Sequence, residues 1–343
     1  MYSDEFYMQR CLDLAENALG KTYPNPIVGC VIVHEGKIIG EGWHKKAGDA
    51  HAEVNAINSV KDKTLLSAST LYVSLEPCVH YGKTPPCSEL IIKHKIPHVV
   101  VGCKDLYSKV YGKGIQSMRE SGINVDVGVL EDQCIESHKR FFTFHNKNRP
   151  YIILKWAETK DGFIAPTEQK VGEPFWISSL ESKTLVHKWR SQESSILIGT
   201  NTAELDNSSL TVRLWKGNNP LRIVIDENLK LSNNLNIFNN SANTLVFNNK
   251  KNMVFDNIEY CMIDFNSIHQ EIMKTLYNKG VHSLIIEGGR ETLQSFIDID
   301  LWDEARVFIA NQYLKNGVHA PKIKEKHISE EMVSSDLLRR YRR

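Results

Sequence analysis

The sequence predicts an α/β protein of two domains. Three observations carry this: a length of 343 residues, apolar runs of strand length alternating with helical stretches, and a polar segment ending in proline before mid-chain. Apolar residues make up 41% of the chain and charged residues 24%, ordinary values for a globular protein. Lys and Arg (42) balance Asp and Glu (41), and the net charge of +1 gives no overall field for nucleic acid or a membrane surface. No apolar stretch approaches spanning length, and residues 1–6 lack the basic and apolar regions of a signal peptide. Seven cysteines, an odd number thinly spread, argue against a disulfide framework and for a reduced, cytoplasmic setting.

Ser3 caps a helix over residues 4–19, which Gly20 ends. Strands at 28–34 and 37–43 flank Glu35-Gly36 as a hairpin. His51 opens a helix through residue 60, followed by a strand at 70–75, a helix at 87–95 and a continuous apolar strand at 98–102. A helix at 114–121, a strand at 123–129 and a helix at 131–144 complete an α/β sandwich. Residues 145–150, His-Asn-Lys-Asn-Arg-Pro, then separate a domain of residues 1–145 from one of 150–343. The second carries strands at 151–157, 195–199, 221–226, 244–247 and 283–287, with helices at 179–191, at 267–279 and from about Arg290. The Asn-rich stretch 233–252 reads as surface loop and edge strands, and the basic tail 339–343 as an exposed, solvated terminus.

The motif richest in chemistry is His51-Ala52-Glu53, with Glu76-Pro77-Cys78 and Pro85-Pro86-Cys87. One imidazole and two thiolates make a tetrahedral zinc site with an open corner, the mark of a catalytic zinc. Glu53 is not needed as a ligand and is free to shuttle protons. Side chains at i and i+2 of a helix diverge, so His51 and Glu53 share a cavity only if His51 sits at the helix entry. Cys87 likewise opens a helix, and helix N-termini favour thiolate over thiol. This is the layout of the zinc hydrolytic deaminases. Two buried structural cysteines and a surface histidine would not account for the joint spacing. Eight residues separate the cysteines here, against two in the common deaminase pattern. They include His80 and Lys83, placed to reach an anionic substrate group.

The second domain signals less. It has no G-x-G-x-x-G after a strand. It does have Gly288-Gly289 between a strand and a helix, where bare backbone amides cradle phosphate. A polar loop, Thr200-Asn201-Thr202, ends another strand, and Arg190 and Arg213 are placed to fork onto a substrate phosphate.

These residues closely resemble the bifunctional riboflavin-biosynthesis deaminase/reductases. The matching stretches are Pro24-Asn-Pro-Ile-Val-Gly29, Gly42-Trp-His44, Ala47-Gly48, His51-Ala-Glu-Val54, Leu75-Glu-Pro-Cys78, His80-Tyr-Gly-Lys-Thr-Pro-Pro-Cys87 and Gly112-Lys-Gly114. Beyond the boundary the likeness continues through Leu154-Lys155, Asp161-Gly162, Trp176-Ile-Ser178, Asp206, Leu210-Thr-Val-Arg213, Arg222-Ile-Val-Ile-Asp226 and Glu287-Gly-Gly289. It covers nearly the whole chain and is most specific in the first half.

The resemblance implies a first domain that is a cytidine-deaminase-like three-layer α/β/α sandwich and a second that is a dihydrofolate-reductase-like α/β domain. It implies hydrolytic loss of the 2-amino group of 2,5-diamino-6-(5-phosphoribosylamino)pyrimidin-4(3H)-one, then NADPH-dependent reduction of the ribosyl group to ribityl. The cofactors it implies are Zn2+ and NADPH. The partner is a small pyrimidine ribose phosphate, with no nucleic acid or membrane, and the chain is expected to form a homo-oligomer, a dimer or tetramer. Asn25, His44, His80 and Lys83 would line the deaminase pocket. Cofactor contacts would fall on Ala157, Trp176, Thr202, Asp206 and the turn Gly289, Arg290, Glu291, Thr292, Leu293, Gln294 and Ser295. Reductase substrate contacts would fall on Arg190, Leu210, Arg213 and Glu287, with Lys155 and Asp161 supporting the reacting ribose. The chain departs from the pattern at Val79 (usually Ser), at Asp105-Leu-Tyr-Ser108 (usually Asp-Pro-Asn-Pro), at Ser208 (usually Pro) and at Pro174 (usually a polar residue). The alternative is a nucleic-acid or nucleoside zinc deaminase with a non-catalytic C-terminal binding domain. Neutral charge and the long segment between the cysteines stand against it.

Overall fold

The computed structural model describes residues 2–79, 81, 85–106 and 111–343. The chain forms two compact units, Met1–Asn148 and Arg149–Arg343. The first runs α1 (Asp4–Glu16), β1 (Gly29–His34), β2 (Lys37–Trp43), α2 (Ala52–Ser59), β3 (Thr70–Leu75), α3 (Cys87–Lys93), β4 (His98–Cys103), α4 (Lys113–Glu120), β5 (Asn124–Val127), α5 (Glu131–Ser137) and α6 (Lys139–Lys147). Its sheet has the order β2-β1-β3-β4-β5, with β1 antiparallel to both neighbours and β3, β4 and β5 parallel.

Strand periodicity explains the three layers. Along β1, Cys30 and Ile32 face Ala56, Ile57, Ile91 and Met118 on one side of the sheet. Val31 and Val33 face Met8, Cys11, Cys134 and Phe142 on the other. Residues Glu35 and Gly36, both at positive φ (49° and 74°), make the tight turn between β1 and β2. Two glycines of β2 let α2 lie directly on the strand. A Cβ at Gly42 would stand 2.3 Å from the Ala56 nitrogen and 2.6 Å from the Ala52 carbonyl oxygen. One at Gly40 would stand 2.5 Å from the Val60 side chain and 2.7 Å from the Ala56 carbonyl oxygen. The expected helix over 131–144 is instead two, α5 and α6. The chain breaks at His138 (φ −95°, ψ 7°), whose Nδ1–H donates to the Cys134 carbonyl at 2.6 Å. The break lets Cys134 and Phe142 enter the same core.

The second unit runs β6 (Tyr151–Thr159), β7 (Phe163–Ala165), α7 (Leu180–Gln192), β8 (Ser195–Gly199), α8 (Thr200–Asp206), β9 (Leu221–Ile225), β10 (Thr244–Asn248), β11 (Met253–Phe255), β12 (Ile258–Met262), α9 (Ile268–Asn278), β13 (Ser283–Ile286), α10 (Arg290–Asp298), β14 (Glu304–Ala310), β15 (Val318–His319), β16 (Ser329–Val333) and β17 (Asp336–Arg342). Ten strands form one sheet in the order β11-β12-β10-β9-β8-β13-β6-β14-β17-β16, while β7 and β15 pair separately. The sheet is parallel from β12 to β14 and antiparallel at both ends. Helices α9 and α10 cover one face through Ile272, Leu276, Leu293 and Phe296. Helix α7 covers the other through Val186 and Trp189.

Two expectations are corrected here. Residues 200–202 open a helix rather than lying in a loop. The basic tail is no free terminus but part of β17, paired with both β14 and β16. Leu338 of β17 is fully buried, while Arg339 and Arg340 form ion pairs with Glu330 and Glu331 across the β16 pairing. The Asn-rich stretch is held from below. The fully buried Arg222 donates to the carbonyls of Asn236, Asn239 and Ala242 at 3.1, 2.6 and 2.6 Å. No helix among the described residues is long and apolar enough to cross a membrane.

Candidate active sites

In the first unit the three expected ligands meet. His51 is the N-cap of α2 in extended conformation (φ −69°, ψ 168°), so its ring leaves the helix at the entry. Cys87 is the first residue of α3, after Pro86, and Cys78 lies just beyond β3. The His51 Nδ1 atom stands 3.5 Å from the Cys78 sulfur and 3.4 Å from the Cys87 sulfur. All three donor atoms lie within 4.8 Å of one another. A tetrahedral zinc with ordinary bond lengths has an N–S edge of about 3.6 Å, so the set fits a zinc ion. The Cys87 amide donates to the Cys78 sulfur at 3.4 Å, an arrangement that stabilises a thiolate. Hydrogen bonds from Cys87 and His51 hold the Cys78 thiol at about 4 against the effect of burial, while Cys87 is raised as the proton-bearing member of the pair. A cation in the site would release that second proton.

Glu53, in the first turn of α2, is 4% exposed. Burial, then the Cys78 charge, pushes its carboxyl up to about 7, with His51 pulling the other way. A bound cation adds a further downward pull. His44 is buried and kept neutral by that burial. Its Nδ1–H donates to the Ala50 carbonyl at 3.1 Å, so its Nε2 accepts from the Asn25 amide at 3.0 Å. The His44 and His51 rings meet edge to face with centroids 5.3 Å apart, which brings Asn25 and His44 to the metal ligands. His80, Lys83 and residues 107–110 lie outside the described residues.

One residue of this site was missed. Glu76, buried beside Cys78, takes four backbone amides from the described residues on its carboxylate: Asp105 (3.2 Å) and Gly112 (2.9 Å) on Oε2, Gly114 (2.8 Å) and Ile115 (3.4 Å) on Oε1. The signal was its place next to Pro77-Cys78; its partners, far along the chain, gave none.

In the second unit Lys155, Arg190 and Glu287 come together. Arg190 donates to both oxygens of Glu287 at 3.1 and 2.8 Å, and the Lys155 ammonium stands 3.7 Å from the same carboxylate. Arg190 therefore does not offer this fork to a phosphate. Its Nε–Nη2 edge is already engaged, because an unpaired carboxylate so deeply buried would be far more costly. Burial would raise Glu287, but Arg190 and Lys155 outweigh it and hold the carboxyl at about 2. Arg213 and Leu210 (φ 52°) sit on the segment after α8, and Leu210 is buried.

The turn at the start of α10 meets the end of β8. A Cβ on Gly288 would lie 2.8 Å from the Thr292 side chain, and one on Gly289 would lie 3.1 Å from the Thr202 hydroxyl. Beside this turn a cleft of about 230 Å³ is lined by Glu291, Thr292 and Ser295, with Ile225 and His269 added to the expected set. Trp176 is 60% exposed, with the Lys183 ammonium 3.7 Å above its ring. Asp206 accepts from Gln169 at 2.8 Å, and Gln294 is bonded to Asp298 and the Lys322 amide. Ala157 is half-buried on β6, Arg290 is exposed and Leu293 is in the core. Asp161 is not drawn into the Lys155 group. Its carboxylate braces the Thr159 hydroxyl and the amides of Leu314 and Lys315.

Fold and sites together define an enzyme of two activities, a zinc-dependent hydrolase of the deaminase class followed by an oxidoreductase. Residues 1–103 match the cytidine and deoxycytidylate deaminase zinc-binding region, and residues 150–314 match the RibD C-terminal domain. The chain is 38% identical to the riboflavin biosynthesis protein RibD of Aquifex aeolicus, over 96% of this chain and 93% of that one. It is 36% identical to the RibD of Bacillus amyloliquefaciens, over 93% and 87%. It is also similar to a crystal structure from Thermotoga maritima of a diaminohydroxyphosphoribosylaminopyrimidine deaminase/5-amino-6-(5-phosphoribosylamino)uracil reductase. The TM-score is 0.90 and the identity 35%, with 98% of each chain covered. The chain belongs to the RibD family of bifunctional riboflavin biosynthesis deaminase/reductases. Zinc and NADPH are its cofactors. The alternative of a nucleic-acid deaminase with a non-catalytic appendage is not favoured, because the likeness to these relatives runs through both halves.

Proposed function

We propose that residues 1–145 remove the 2-amino group of 2,5-diamino-6-(5-phosphoribosylamino)pyrimidin-4(3H)-one and that residues 150–343 reduce the ribosyl group of the product to ribityl. The observation that carries the first step is the convergence of His51, Cys78 and Cys87 at zinc-ligand spacing, with buried Glu53 on the turn that His51 opens. A zinc ion held by His51, Cys78 and Cys87 would supply Lewis acidity to a water, making it a nucleophile for the amino-bearing carbon. Glu53 takes a proton from the attacking water and delivers it to the departing amino group, a role suited to a buried carboxyl on the turn that His51 opens. Asn25 and His44 hold the pyrimidine edge, and the fixed His44 tautomer sets which way the Asn25 amide turns. His80 and Lys83 contribute the remaining contacts to the deaminase substrate.

In the reductase step NADPH supplies the hydride. Ala157, Trp176, Thr202, Asp206 and the Gly289–Ser295 turn hold the cofactor, with backbone amides of the glycine turn toward its phosphates. Lys155, Arg190, Leu210, Arg213 and Glu287 orient the ribose phosphate. The chain works in a reducing cytoplasm, which its free cysteines and thiolate ligands favour, as a homo-oligomer acting on a small molecule rather than on nucleic acid. The test pairs metal analysis with ammonia release from the diaminopyrimidine phosphate and from tRNA. Glu53→Gln is expected to keep its zinc, to lose at least about 10²-fold in deamination, and to oxidise NADPH normally on the pre-deaminated substrate. Ammonia released only from RNA, or a fully active Glu53→Gln, would refute the reading.

A further inference from the structure

We propose that His187 is a substrate-binding residue of the reductase site, donating through Nε2 to a phosphate oxygen of the pyrimidine ribose phosphate. The proposal rests on the reductase reading above. His187 lies on α7 one turn before Arg190, so the two side chains share a helix face. It is 6% exposed. Its Nδ1 accepts the backbone amide of Arg213 at 3.0 Å. An imidazole that accepts at Nδ1 carries its single proton on Nε2. Among the described residues that Nε2–H has no hydrogen-bond partner. Though the residue is largely buried, this atom is not among the side-chain atoms shut off from solvent without a partner, so the donor is open to a ligand oxygen.

The surroundings name the ligand's chemistry. Among the described residues, Arg190, Arg213 and Lys155 act on His187 as cations and Glu287 as an anion. Glu287 absorbs one fork of Arg190 and part of the Lys155 charge, which leaves a positive balance for a dianionic phosphate. Burial, then Arg190 and Arg213, hold the imidazole of the unliganded site at about 4, which leaves it neutral with its one proton on Nε2. The same ring pins the segment of Leu210 and Arg213 to α7. One side chain thus ties two expected substrate residues to a third.

Two substitutions in the full chain separate the pinning role from the donor role. Asn at 187 keeps an acceptor near the Nδ1 position and loses the distant donor; Gln keeps a donor near Nε2 and loses the acceptor. With NADPH oxidation followed on the deaminated substrate, His187→Asn is expected to raise its KM about tenfold with kcat within twofold, the effect of one hydrogen bond to a charged group. His187→Gln is expected to recover most of that loss. On the dephosphorylated substrate, His187→Asn and the wild type are expected to have the same KM. Ammonia release and the KM for NADPH report whether each variant is folded. A wild-type KM in His187→Asn, or an equal loss with and without the phosphate, would overturn the inference alone. A wild-type chain that fails to oxidise NADPH on this substrate would overturn the reductase reading as well.

Discussion

Glu287 shows what a single buried charge can dictate. Its carboxylate is 9% exposed and is surrounded by Arg190 and Lys155, and the folded protein holds it at about 2 against an ordinary 4.5. Between those values the unfolded chain binds the proton and the folded one does not. The pair therefore contributes stability above pH 4.5, roughly 3 kcal/mol, and loses it as pH falls toward 2. Urea midpoints of the wild type are expected to fall more steeply between pH 5 and 3 than those of Glu287→Gln; parallel slopes would contradict this. At this scale legibility depended on spacing. His51, Cys78 and Cys87 were readable because proline and helix-entry signals frame them in a short stretch. The Arg190–Glu287 pair spans 97 positions and leaves no local trace. His187 looked like any histidine on a helix, and its only clue was standing three residues before Arg190.

Among the elements, the passage from β3 to α4 carries the most chemistry per residue. Glu76 follows the last residue of β3, stands two residues before the ligand Cys78, and accepts from the amides of Asp105, Gly112, Gly114 and Ile115. Glu76→Gln puts an NH2 group where only acceptors fit. The variant is expected to bind zinc 10–100-fold more weakly, as loss of a ligand's supporting contact does, with deamination falling in step. A competitive chelator titration measures it, and wild-type zinc affinity would show that the carboxylate only fills space. Three elements differ from their reading in the sequence. The residues 339–343 look like a solvated basic tail because the carboxylates that pair with them, Glu330, Glu331 and Asp300, come from other segments. Helix α8 begins with Thr-Asn-Thr, polar residues that locally read as loop. The turn at His138 splits a continuous helical pattern because two core positions must be reached at once.

On the scale of the whole molecule, each unit has its own sheet and its own cores. Stripping zinc with a chelator is expected to abolish ammonia release while NADPH oxidation on the deaminated substrate stays within twofold. Only the thermal transition of the first unit should move down, since the metal binds that folded unit. Simultaneous loss of both activities would refute independent sites. The α/β character was legible from alternating apolar runs, whereas the antiparallel flanks of the ten-stranded sheet were not, because edge strands carry mixed, charged sequences. The seam between β2 and α2 leaves a last consequence. Gly40 and Gly42 lie against the backbone of α2, and their missing methyl groups set how deeply the helix that carries Glu53 and is capped by His51 can seat. A population of variants selected for vitamin self-sufficiency would guard these two hydrogens as jealously as the sulfurs, and a tally of tolerated changes would mark them as chemistry when they are carpentry.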